Sequence, residues 1–271
     1  MVKKIFLLFL FASSLLAEAV DYKVMSLLGG QDYKANQKFI QRLFSNTKAY
    51  LNKEGEPDLY KISQTLKSNG LLQLSFSSPK ELEISFSIEG DPAIFMNALY
   101  DSLQAMGYYY FIAKQSLLED SQYKFILSMN TEYAIDPVLL QEKLRDYGYE
   151  IVNIERQALT QWVYDIKEKN FQYPKAILLK NNNKSENANL NGEYWYQITQ
   201  GSSLEIASKL GELWYPKVIF FDSKLKVIEV SSYEKPTKQI SLRIPKTTSY
   251  IKISDVFLPA SIKNGIAVTL K

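Results

Sequence analysis

Cysteine and histidine are both absent from the 271 residues. Without cysteine there is no disulfide framework, no thiolate metal site and no lipid-modified Cys at a processing point. Without histidine there is no Ser-His or Cys-His nucleophilic pair, no imidazole base and no histidine-held zinc. Arginine is scarce, at 42, 145, 156 and 243 only, so the positive charge is almost entirely lysine. No glycine-rich phosphate loop of either standard spacing occurs, and no Asp-x-Asp-x-Asp calcium loop. We therefore expect no metal and no cofactor.

Two kinds of catalysis survive these absences, a carboxylate pair and a Ser-Lys dyad. The densest acids, Glu119-Asp120 and Glu54/Glu56/Asp58, fall among lysines in expected turns, where a solvated loop explains them. Ser-x-x-Lys begins at Ser45, Ser77, Ser121, Ser223, Ser232 and Ser249, too often in a Ser- and Lys-rich chain to carry a signal. Catalytic residues are expected to be none, and the chain is read as not an enzyme.

The chain opens Met-Val-Lys3-Lys4, then an apolar or small run from Ile5 to Leu16, then Ala17-Glu18-Ala19. A short basic segment, an apolar core and an A-x-A site describe a secretory signal peptide, here residues 1–19 with cleavage after Ala19. The run falls short of the ~20 residues that span a bilayer. No other stretch comes closer, so no transmembrane segment is expected after cleavage, and the expected location is the periplasm of a bacterial envelope. Taking Lys3, Lys4 and Glu18 from 32 basic and 29 acidic residues leaves 30 and 28, or +2. That balance does not point to nucleic acid or an acidic membrane as the main partner. The chain also lacks the succession of ten-residue alternating strands that builds an outer-membrane barrel.

What is present is a pattern used three times: two apolar residues four apart, then a Gly one turn on, then a strand-like run. The copies are Ile62/Leu66/Gly70, Leu99/Leu103/Gly107 and Leu140/Leu144/Gly148. The apolar pair marks one helix face and the Gly the left-handed cap that ends it. The last two helices both open on Asp-Pro, at Asp91-Pro92 and Asp136-Pro137. Around them, 71–89 reads as a hairpin turning at Ser77–Lys80, Tyr108–Ala113 as a central strand, Ser116–Gln122 as a loop and Tyr123–Met129 as a third strand. Tyr149–Arg156 and Trp162–Lys167 read as a strand pair. In front, Asp21–Ser26 reads as a short strand broken by Gly29-Gly30, Asn36–Leu51 as one helix, and 58–67 as another.

The order over 82–157 is βαββαβ, which two right-handed crossovers fold into a ferredoxin-like sheet with helices on one face. The polar stretch 181–192 reads as a linker. Beyond it, short β-prone runs recur at regular spacing: 194–199, 218–221, 227–230, 240–244, 250–253 and 266–270, with 203–210 either strand or helical turn. This spacing marks an antiparallel sandwich. The expected fold class is α+β: residues 20–180 a ferredoxin-like domain with an N-terminal helical extension, then 193–271 an all-β sandwich.

The two segments Leu103-Gln-Ala-Met-Gly107-Tyr108 and Leu144-Arg-Asp-Tyr-Gly148-Tyr149, in a βαββαβ order, resemble the SPOR domain, an envelope module that binds peptidoglycan glycan strands. The resemblance covers about 75 residues and implies a ferredoxin-like fold and a glycan ligand. The strands here end Glu89-Gly90-Asp91 and Asn130-Thr131-Glu132 where the family carries Gly-x-Phe, so no binding residue is carried over.

Aromatics are the enriched resource, with 19 Tyr, 14 Phe and 3 Trp. In Tyr108-Tyr109-Tyr110-Phe111, strand alternation sends one pair under the helices and the other to the open face. Tyr194-Trp195-Tyr196 and Trp214-Tyr215 raise the same question, with Trp195 either in the core or outside it. The candidate binding residues are Tyr109, Tyr110, Phe111, Trp195, Trp214 and Tyr215. The first functional reading is a non-catalytic binding or scaffold protein whose partners are envelope proteins. The alternatives are a glycan or peptidoglycan module and a carboxylate-dependent glycan hydrolase.

Overall fold

Residues 16–271 are described by a computed structural model, and the chain divides after Asn170 into two units. The architecture is mixed α+β. Most of the expected signal peptide, residues 1–15, lies outside the described residues.

In the first unit, residues 16–28 form helix α1, not the strand expected at Asp21–Ser26. Val20, Val24, Leu27 and Leu28 are all buried, and their spacing is that of one helix face. Gly29, at φ +81°, separates α1 from α2 (Gly30–Ala35), so the glycine pair joins two helices. The single helix expected over 36–51 is instead α3 (Gln37–Leu43) and a 3₁₀ turn, Thr47–Tyr50. Helix α4 (Leu59–Ser68) follows, capped by Asp58, whose carboxylate accepts from Lys61 N at 3.2 Å.

The repeated pattern folds as its chemistry requires. Helices α5 (Pro92–Ala105) and α6 (Pro137–Asp146) start with Pro at the first turn, their N–H groups held by Asp91 and Asp136. Gly70, Gly107 and Gly148 all take positive φ where the helices stop.

Five strands make one sheet: β1 (Ser75–Glu89), β2 (Ile112–Glu119), β3 (Gln122–Tyr133), β4 (Tyr149–Ala158) and β5 (Gln161–Glu168), in the order β2-β3-β1-β5-β4. The hairpin expected over 71–89 does not form. Strand β1 runs straight through Ser77–Lys80, with a register break between Ser75 and Lys80 where Pro79 has no N–H to give the ladder. The expected loop 116–122 shortens to two residues, Asp120 and Ser121, both at positive φ, as a tight hairpin needs. The strand after α6 does not pair with β1. Strand β5 folds back from β4 and enters between them, parallel to β1 and antiparallel to β4.

Leu82, Ile84, Phe86 and Ile88 of β1 face the helices with Tyr123, Phe125 and Leu127 of β3 and Trp162, Tyr164 and Ile166 of β5. Phe95 of α5 closes this core, its ring 5.7 Å from Tyr149 and 6.5 Å from Phe86. The Tyr149 hydroxyl is buried there, meets no hydrogen-bond partner among the described residues, and burial raises its pKa above the ordinary phenol value. Deleting an unpaired buried hydroxyl removes a desolvation cost and no bond. Tyr149→Phe should therefore hold the unfolding free energy measured in urea or raise it slightly, by up to about 1 kcal/mol; a clear loss of stability would show that the hydroxyl is paired.

In the second unit, β6 (Ile177–Leu178), β7 (Lys184–Asn187), β8 (Tyr194–Gln197), β9 (Ser203–Ser208), β10 (Pro216–Phe221), β11 (Val227–Ser232), β12 (Gln239–Arg243), β13 (Tyr250–Asp255) and β14 (Ile266–Leu270) form two sheets. Their orders are β11-β10-β13-β8-β6 and β12-β9-β14-β7. Tyr194, Tyr196, Phe220, Ile251 and Ile253 of the first sheet share one buried cluster with Leu204, Ile206, Ile240 and Val268 of the second. The stretch 181–192 is not a linker. Lys184–Asn187 pairs with Ile266–Thr269 as an edge strand, a role that needs backbone groups and no apolar side chains. The division of the chain accordingly falls after Asn170 and not at 181–192.

Candidate functional site

The first unit treats its two sheet edges in opposite ways. At β4, side chains satisfy the outward backbone. Gln141 of α6 donates to Tyr149 O at 3.2 Å and accepts from Ile151 N at 2.6 Å. From α1, Lys23 Nζ donates to Val152 O at 3.3 Å and to Asn153 Oδ1 at 2.7 Å, and Ser26 Oγ donates to Ile154 O at 2.7 Å. Burial lowers the Lys23 pKa below the ordinary lysine value, although Asp165 and Glu56 pull the other way. This edge is closed to a further strand.

The β2 edge is not closed in this way. The segment Tyr108–Phe111 is irregular, so the strand expected over 108–113 begins only at Ile112 and lies at the rim of the sheet, not its centre. Tyr108 fixes the departure: its N–H donates to Leu103 O at 2.9 Å, and its hydroxyl donates to Ala134 O at 3.2 Å. Pairing between β2 and β3 starts at Ile112 and Ser128, whereas β3 continues to Tyr133. The residues Met129–Tyr133 are thus beyond the reach of β2 on that side, although β1 pairs with them on the other at Lys80–Leu82 and Ser75.

Between this overhang and the departing chain lies a groove of about 480 Å³, lined by Met106, Tyr108, Tyr109, Tyr110, Met129 and Tyr133 with the Asn130-Thr131 stretch. Tyr109 is 65 % exposed, Tyr110 92 % and Tyr133 58 %. Thr131 Oγ1 holds Tyr133 N and O at 3.1 Å, and rings this open beside the remaining strand backbone that β2 does not reach form a surface that a second chain can cover. Below the groove, Ile112 and Leu118 of β2 are also exposed. A bulge between Ala113 and Gln115, with Lys114 held 3.2 Å from Glu81, blunts only the middle of that strand.

The structure separates the six sequence-predicted residues. Tyr109 and Tyr110 lie together at the groove. Phe111 does not join them: it turns inward, its ring 5.0 Å from Tyr100 and 6.5 Å from Phe125. Trp214 is 0 % exposed in the sandwich core, a correction to its place among binding residues. Trp195 stands on the outer face of its sheet, while Tyr194 and Tyr196 fill the core. Its ring is already engaged by Tyr173 at 4.7 Å and Phe221 at 5.1 Å, with Lys252 Nζ 5.6 Å from its centroid. Tyr215 sits edge-on to Phe257 at 4.8 Å. Sequence reasoning missed Tyr133 and the overhang, because the apolar alternation of β3 stops at Met129.

Among the described residues, no three or more of His, Cys, Asp and Glu gather to hold a metal. No helix among them is long and apolar enough to cross a membrane. No protein-family model and no curated protein matches the chain. A solved structure that it matches is the pre-peptidase C-terminal domain of collagenase from Bacillus anthracis, at 8 % identity and a TM-score of 0.26, covering 38 % of this chain and 100 % of that one. A likeness at that score carries no argument.

Proposed function

We propose that the protein is a non-catalytic binding or scaffold protein that takes an extended segment of a partner protein into the groove at the end of β3. The observation that carries this reading is the contrast between the two sheet edges, one capped by Gln141, Lys23 and Ser26, the other capped only at Tyr133, by Thr131, and otherwise open beside three exposed tyrosines. An added strand would bond to the outward backbone of Met129–Thr131, short of Tyr133, whose N and O are held by Thr131 Oγ1 at 3.1 Å, while Tyr109, Tyr110 and Tyr133 select its side chains. We place this activity in a bacterial envelope, with envelope proteins as partners. In this reading the first unit is a ferredoxin-like sheet enlarged by the insertion of β5. The SPOR resemblance, and with it a glycan, would point to the open sheet face, which carries Glu83, Ser85 and Ser87 and no ring.

The test is a pair of variants, Tyr109→Ala with Tyr110→Ala, and Val152→Ala at the capped edge. The tyrosines are so exposed that their loss should leave stability within about 0.5 kcal/mol. Peptides selected by display for binding to the full chain should lose at least about tenfold in affinity to the tyrosine variant and none to Val152→Ala. Equal binding to both would remove the groove as the site.

A further inference from the structure

We propose that the first unit holds a second, separate site, in which Arg156 binds the oxyanion of a small ligand, a phosphate or a carboxylate. It shares no residue with the groove beside β3. The pocket has a volume of about 350 Å³ and lies between the α1–α2 junction and the β4–β5 turn, lined by Leu28, Gly29, Gly30, Asp32, Arg156 and Gln157 among others.

Arg156 belongs to the core-facing side of β4, two residues after the buried Ile154 and opposite Trp162 on β5. Its side chain is only 7 % exposed, and its guanidinium carbon lies 5.3 Å from the centre of the Trp162 ring. A guanidinium carries five N–H donors, and one this deep is expected to spend them on acceptors. Yet its buried Nη1 makes no hydrogen bond among the described residues. The nearest acid, Asp32 Oδ2, is 3.6 Å from Nη1, which is ion-pair range but too long for a bond, and the Asp32 side chain is 54 % exposed. A buried cation with an unspent donor is costly unless an acceptor arrives. The pocket is open at its Gly30 wall, where an added Cβ would meet nothing within 4 Å among the described residues. Asp32 stands loosely where an external oxyanion would sit, and it can swing to solvent when one enters. A planar, two-oxygen group suits the guanidinium fork.

The full chain, labelled at its tryptophan indoles, provides the test. Trp162 is the reporter, because its Nε1 donates to Leu159 O at 3.3 Å at the pocket rim, while Trp195 and Trp214 belong to the other unit. Sodium phosphate and sodium acetate are titrated separately, with sodium chloride at matched ionic strength as the control. The expected result is a saturable shift of the Trp162 signal alone, with phosphate, acetate or both. Asp32→Asn, which removes the internal competitor, should tighten binding about fivefold, the worth of a half-exposed ion pair near 4 Å. Arg156→Gln should abolish the shift. A response to phosphate only assigns the site to phosphate ligands, and one to acetate only to carboxylates. The proposal fails if neither salt gives a saturable shift in the wild type and Asp32→Asn, if chloride does as well, or if Arg156→Gln retains the response. Should Arg156→Gln not fold, the presence or absence of tightening in Asp32→Asn decides alone.

Discussion

Replacing Gly192 by alanine should cost the second unit roughly 4 kcal/mol, among the largest losses a single methyl can cause. Two independent penalties meet there. Gly192 has φ +66°, a conformation that charges an L-residue about 1–2 kcal/mol. The added Cβ would also lie 1.6 Å from the carbonyl oxygen of Pro259 and 2.2 Å from its carbon. Backbone cannot rotate aside as a side-chain tip can. Nor can that turn easily retreat, since Tyr194 ties the two segments together, its hydroxyl donating to Ile262 O at 2.6 Å and accepting from Asn189 N at 3.2 Å. Gly211 is the internal comparison, with φ +70° and nothing within 4 Å of an added Cβ. Gly211→Ala should lose only the conformational part, about 1 kcal/mol. The fluorescence of the buried Trp214 during urea unfolding measures both, and equal losses would show that the crossing of 192 and 259 is looser than described.

The second large effect is expected at Asp255. Its carboxylate, on a residue only 4 % exposed, gathers four donors around the end of β13. Oδ1 accepts from Phe257 N at 2.8 Å and Leu258 N at 2.9 Å; Oδ2 accepts from Tyr215 N at 2.7 Å and Ser261 Oγ at 2.9 Å. Burial by itself would raise the pKa, but the bonds from Leu258, Tyr215, Phe257 and Ser261 outweigh it and hold the group below the ordinary carboxylate value. Asp255→Asn keeps one accepting oxygen and turns an amide donor toward other donors, for an expected loss of roughly 3 kcal/mol. The pH dependence follows from the sign of the shift. A group whose pKa falls on folding adds stability that is whole above the unfolded value, about 3.9, and fades as pH drops through it toward the folded value. The wild type should therefore lose this part of its stability below about pH 4, and Asp255→Asn should lack it. An acid slope as steep in the Asp255→Asn variant as in the wild type would contradict the arrangement.

How far these features were legible differs by kind. Local chemistry read through well: Asp91-Pro92 and Asp136-Pro137 start helices, and Gly107 and Gly148 stop them, because caps depend on neighbours in sequence. The sandwich strands read through because their apolar residues alternate. The insertion of β5 between β1 and β4 was not legible, since alternation identifies a strand without naming its neighbours. Lys184–Asn187 was read as linker because an edge strand needs no apolar residue. At the site, an aromatic surplus singled out Tyr109 and Tyr110, but strand periodicity misplaced them, since Tyr108 bonds to Leu103 and Ala134 and takes the chain off the ladder. Alternation also could not say which face of Trp195 or Trp214 was core. Arg156 gave no sign, because an isolated arginine in a strand has no pattern.

The end of β3 should accept another strand while β4 does not. Hydrogen exchange of the full chain, with and without a selected extended peptide, tests it most directly. New protection is expected for amides in 129–131, with the β4 amides unchanged. Protection confined to β4, or to the second unit, would contradict it.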